Sequence, residues 1–131
     1  AHLHHDAGGA FPASYDSLDG PPGSLVFPLA HWPARLLPHL EQAALWDGYV
    51  SAARADGNTT HNPPHAGLTA VVRVYTCPAD ARLVAPITDD RGYTAAYASY
   101  VGVGGGLMRP GGGYNGAVRA PLGVRLAEVL D

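Results

Sequence analysis

The stretch Arg35-Leu-Leu-Pro-His-Leu-Glu-Gln-Ala-Ala-Leu-Trp-Asp47 decides how this chain is read. Leu36, Leu37, Leu40, Ala44 and Leu45 recur at spacings near three and four, the period of a helix with one apolar face. Pro38 suits the first turn of such a helix, where its missing N–H costs nothing. The spacing predicts the main helix over 38–54. Glu41 then lies in its first turn and Arg54 in its last, both favourable to the helix dipole. Upstream, Trp32-Pro33 opens the helical region. Residues 1–6 read as the last turns of a helix that Ala7-Gly8-Gly9 stops. Phe11-Pro12 starts an extended stretch, and residues 14–24 are loop by composition.

Downstream, residues 55–66 form a polar loop. Val71 to Tyr75 is β-branched and aromatic and reads as a strand, with Cys77-Pro-Ala-Asp80 turning away from it. Residues 81–93 carry no clear period, and Tyr97 to Val103 reads as a second strand. Gly104 to Gly106 and Gly111 to Gly113 flank a hairpin tip, Gly116 to Arg119 reads as a short strand, and Val124 to Leu130 as a short helix. There are no internal repeats. The expected class is α+β, a helix packed on a small antiparallel sheet with long Gly/Pro-rich loops.

A length of 131 residues makes one domain, 1–131, able to bury a modest core. Hydrophobic residues make up 47% and charged residues 15%, which marks a globular chain rather than a disordered one. All eight basic residues are arginine, as a GC-rich genome would write them. Net charge is −3 with no basic cluster, which argues against a nucleic-acid partner and against a polybasic membrane patch. Cys77 is the single cysteine, read as a small buried residue or as half of a disulfide whose partner lies outside this chain. No run of about 18 apolar residues exists, so this fragment is not expected to span a membrane. The chain starts at Ala1 in mid-element, which suggests a removed upstream segment.

His2 and Asp6, four apart, share a helix face and are the histidine-side metal candidates, with His4 and His5 pointing elsewhere. Solvated helix-end histidines are the favoured reading of them. His61 and His65 lack the paired cysteines of a zinc finger. Asp80, Asp89 and Asp90 are loop carboxylates that calcium would suit, although no EF-hand pattern surrounds them. Otherwise no cofactor is expected. Gly102 to Gly106 breaks the dinucleotide spacing at Leu107. No Gly-x-Ser-x-Gly elbow is present, and Cys77 sits before Pro78 rather than at a helix start that would lower its pKa. The chain is therefore expected not to be an enzyme. Trp32, Trp46 and Tyr49 read as core anchors around the main helix. With Tyr93, Tyr97 and Tyr100 they are also the candidate ligand or partner contacts.

The order of short motifs adds a resemblance. Leu3-His-His-Asp-Ala-Gly-Gly-Ala-Phe-Pro12 is followed by Trp32, then Leu36-Leu-Pro-His-Leu-Glu-Gln-Ala-Ala-Leu-Trp-Asp47. Tyr75-Thr-Cys-Pro-Ala-Asp80, Ser99 to Gly105, Asn115-Gly116 and Val124 to Asp131 complete the series. In this order they resemble the planctomycete family of prepilin-type proteins with an N-terminal cleavage/methylation segment and a domain of unknown function. Its members read L-H-N-Y-H-D-x-x-G-x-F-P, L-L-P-Y-L-E-Q-x-x-L-Y-D, F-L-C-P-S-D, S-Y-x-G-x-x-G and I-R-L-A-D-I-T-D. The family's hydrophobic N-terminal pilin helix and its C-terminal His-x9-Asp-Gly segment are not in this sequence, so the chain is expected to be truncated at both ends.

The resemblance implies a pilin-like fold and a structural role. The chain would be a subunit of a type IV pilus-like apparatus or a type II secretion pseudopilus. Its partners would be other pilin-like subunits or secretion-apparatus proteins. It would lie at the cell envelope on the periplasmic or extracellular face, anchored when full length through the absent helix. Related pseudopilins use a calcium loop, but their ligands do not map onto this chain. The alternative from the residues alone is a cell-surface or periplasmic module that binds a solute or glycan.

Overall fold

The computed structural model describes residues 2–20, 29–56, 66–103 and 124–125. The protein is α+β: four α-helices and two antiparallel two-stranded sheets, joined by 3-10 turns, among the described residues. It divides into two compact units, Ala1–Ala43 with Gly102–Asp131, and Ala44–Val101.

In the first unit, α1 (His2–Gly8) stops at Gly9. Gly9 takes the left-handed φ of 73° and returns its N–H to the His5 carbonyl at 2.6 Å. The sequence places this stop correctly. β1 (Tyr15–Ser17) pairs with β2 (Leu29–His31) in the register Tyr15↔His31, Asp16↔Ala30, Ser17↔Leu29. Residues 14–24 are therefore not all loop. Three residues too polar to read as a strand become one because a partner backbone lies alongside. The Ser17 hydroxyl accepts from the amides of Asp19 (3.2 Å) and Gly20 (2.8 Å), which ends the strand. The Arg35 guanidinium donates to the Ser17 carbonyl at 2.6 Å and lies 3.5 Å from the Asp16 carboxylate, tying the next helix to this hairpin.

That helix, α2 (Trp32–Leu36), carries its proline in the first turn, as expected at Trp32-Pro33. The main helix differs from its expectation. Leu37–Leu40 form a 3-10 turn, Glu41 turns left-handed at φ 59°, and α3 spans only Ala43–Ala55. Pro38 keeps a first-turn place, but in the 3-10 turn. Having no N–H, it cannot continue a ladder, and the turn closes with the amides of both Glu41 and Gln42 on the Leu37 carbonyl. Glu41 is thus a helix-ending residue and not a first-turn residue of α3. Among the described residues of this unit, Ala30, Leu36, Leu37 and Val124 are buried, as is Pro12, and the Phe11 amide bonds the Val124 carbonyl at 2.8 Å. Val124 and Arg125 show no regular structure; the rest of the expected helix 124–130 lies outside the described residues, as do the expected strand 116–119 and the glycine hairpin tip.

In the second unit, α3 buries Tyr49 and Ala53, four apart on one face. α4 (Ala66–Thr69) brings Gly67 so close to Tyr49 that a side-chain carbon there would lie 3.1 Å from the ring. The Leu68 carbonyl accepts the Ala96 amide at 2.7 Å, joining α4 to the hairpin of β3 (Ile87–Thr88) and β4 (Thr94–Ala95). Two expected strands are absent. Val71 to Tyr75 instead ends in a 3-10 turn, Arg73–Tyr75, because the amides of Tyr75 and Thr76 bond locally to the carbonyls of Val72 and Arg73. With those amides spent, β propensity has no ladder to join. Tyr97 to Val103 is likewise irregular, with strand geometry confined to Thr94–Ala95. Among the described residues, no helix is long and apolar enough to cross a membrane.

Two substitutions test these devices. Gly67→Val would lower stability by about 1–3 kcal/mol, because the Tyr49 ring must move to admit it. A urea midpoint equal to that of the unaltered protein would refute the close approach. Glu41→Gly would raise stability by about 0.5–1 kcal/mol by relieving the left-handed residue. A melting temperature that falls instead would show that residue 41 does not hold positive φ in solution.

Candidate functional site

The second unit brings two separated motifs together. The Ser99 amide donates to the Tyr75 carbonyl at 2.8 Å, and the Ser99 hydroxyl accepts the Cys77 amide at 2.8 Å. One serine therefore joins the Tyr-Thr-Cys-Pro segment to the Ser-Tyr-Val segment. Cys77 is half-buried at this joint. Tyr75 is also half-buried, and burial pushes its hydroxyl up to about 12. Beyond Cys77, Asp80 caps the 3-10 turn Ala81–Leu83 through the Arg82 amide. Its carboxylate also receives both Arg82 donors, at 2.8 and 2.9 Å. The hydrogen bonds from the Arg82 side chain hold the Asp80 carboxyl below the usual carboxylate range.

The joint carries exposed apolar side chains. Val74 and Tyr100 are chain neighbours of the bonded Tyr75 and Ser99, and are 58% and 51% exposed. Val101 is 91% exposed and Tyr97 is 45% exposed. At that exposure Val101 is a surface residue rather than a core residue.

The other candidates are distributed. Tyr49 is buried and stacks on the half-buried Trp46, with ring centroids 6.1 Å apart. These two act as core anchors of α3. Trp32 is half-buried at the start of α2, in the first unit. Tyr93 is half-buried, and burial, then Tyr97, then Asp89 raise its pKa. The Asp89 carboxylate shapes its own turn, accepting the amides of Arg91 (3.0 Å) and Tyr93 (2.8 Å), with Gly92 at φ 79°. Asp90 is exposed beside it. Asp80 and Asp89 thus each have local hydrogen-bond partners. His2 packs edge-on against Phe11, and the exposed Asp6 lies 3.6 Å from His5. No group of three metal-ligating residues converges among the described residues. His61 and His65 lie outside them.

Sequence reasoning missed two placements. Ser99 reads only as part of a motif, and nothing in the sequence marks it as the partner of Cys77. His39 had no assigned role, yet its ring lies 5.3 Å from that of His4.

Tyr75 supplies a pH test. Its raised pKa means the folded state holds a proton that the unfolded state gives up above about pH 10. Stability from this group is whole below about pH 10 and falls as pH rises toward 12. Tyr75→Phe would flatten that part of the alkaline unfolding profile, and an unchanged slope would refute burial of the hydroxyl.

Comparison with curated proteins and with solved structures gives no match. Comparison with protein families gives a match over residues 1–131, the whole chain, to a family described as a protein of unknown function (DUF1559). By that full-length match, the chain belongs to the DUF1559 family.

Proposed function

We propose that this chain is the globular part of a structural subunit in a cell-envelope apparatus, of the type IV pilus or type II secretion pseudopilus kind. The observation that carries the reading is the series of motifs resembling the prepilin-type family, from Leu3 to Asp131, in one order along the chain. Full-length membership of the DUF1559 family is in keeping with it. A second support is the bare Val74, Tyr97, Tyr100 and Val101 around the Ser99 joint, since assembly between subunits covers such side chains. The partners in this reading are other pilin-like subunits or secretion-apparatus proteins, met on the periplasmic or extracellular face. The role is assembly rather than catalysis. A calcium role for Asp80, Asp89 and Asp90 is not part of this reading, because Asp80 and Asp89 are engaged locally.

A solute- or glycan-binding module is the second reading, favoured by the exposure of Tyr97 and Tyr100. The buried Tyr49 and the stacked Trp46 weigh against a wider aromatic platform.

The test uses the complete gene. Its codons upstream of Ala1 would encode a short basic leader, a Gly or Ala, a Phe, a Glu shortly after, and about 20 apolar residues. The full-length product would be shortened by its host peptidase and found in the membrane or sheared-filament fraction. An unprocessed, soluble monomer would overturn the assembly reading. Glycan binding that Tyr97→Ala and Tyr100→Ala abolish would establish the second reading in its place.

A further inference from the structure

We propose that His4 and His39 form a two-imidazole site for a divalent transition-metal ion such as zinc. Their ring centroids lie 5.3 Å apart, with the planes inclined at 69°. Two imidazoles on one tetrahedral ion, with metal–nitrogen bonds of about 2.0–2.1 Å, place their ring centres roughly 5 Å apart. The rings meet edge to face at a spacing that a shared ion would also have.

The protonation of His4 is set by its surroundings. Its Nδ1 lies 3.0 Å from the Ala10 carbonyl. A carbonyl oxygen only accepts, so Nδ1 carries the hydrogen and Nε2 keeps the lone pair. A backbone carbonyl holding the other ring nitrogen is the supporting bond that metal-ligating histidines ordinarily have. Two local devices build this pair. The left-handed Gly9 turns the chain at the end of α1, just before the Ala10 carbonyl that holds His4. The 3-10 turn Leu37–Leu40, closed by the left-handed Glu41, presents His39. Both histidines are half-buried.

The neighbouring histidines are placed differently. His2 and His5 pack on Phe11, with ring centroids 6.0 and 5.4 Å away, and His5 also lies 3.6 Å from Asp6. No third His, Cys, Asp or Glu joins the pair among the described residues, so water or an external ligand completes the coordination. Neutral nitrogen ligands suit zinc, copper and nickel over calcium and magnesium. The ion binds through ring nitrogens that carry a lone pair.

The test is zinc titration of the whole tag-free chain, followed by calorimetry, in a His2→Gln, His5→Gln background that removes the neighbouring histidines. The background is expected to bind zinc like the unaltered protein. Adding His39→Phe or His4→Gln should weaken binding by about tenfold or more. In the unaltered protein, zinc should shift the ring NMR signals of His4 and His39 together, a readout independent of whether the variants fold. Loss of binding in the background, undiminished binding in His39→Phe, or ring shifts confined to other histidines would each overturn the proposal.

Discussion

Strands of two or three residues leave many amides without a ladder, and a buried amide without an acceptor is costly. In each unit, short polar side chains take that place. Ser17 receives the amides of Asp19 and Gly20. Asp80 receives that of Arg82, Asp89 those of Arg91 and Tyr93, and Ser99 that of Cys77. The loops hold their shape because these oxygens stand where a neighbouring strand would have stood.

The same constraint assigns the acidic residues. A carboxylate that accepts amide hydrogens or a guanidinium fork is already stabilised in its charged form. Asp80 is held so by Arg82, while Asp89 accepts the amides of its own turn. Among the described residues, Val74, Tyr97, Tyr100 and Val101 are exposed apolar side chains of the second unit.

Local punctuation was legible in the sequence. Gly9 ends α1 and Pro33 opens α2 as read, since both act through their own backbone geometry. The apolar period marks the helical region, but the single main helix expected over 38–54 is a 3-10 turn followed by α3. Nothing in the side chain of Glu41 announces a left-handed φ, so the break was invisible. Of the candidate contacts, the burial of Tyr49 was legible from a large aromatic placed on the main helix. The exposure of Tyr97 and Tyr100 was not, because exposure depends on what packs nearby.

By itself, then, the sequence determined the α+β class, the stops and starts set by glycine and proline, and the order of motifs that places the chain in its family. These depend on residues acting alone or on their nearest neighbours. Tertiary structure decided which β-prone segments became strands, since a strand exists only where a second backbone meets it. It kept Val71 to Tyr75 out of a sheet and made a strand of Tyr15 to Ser17. It also joined Ser99 to Cys77, 22 residues away, and set His39 beside His4. Such pairings are fixed by chain folding over distances at which local propensity carries no information.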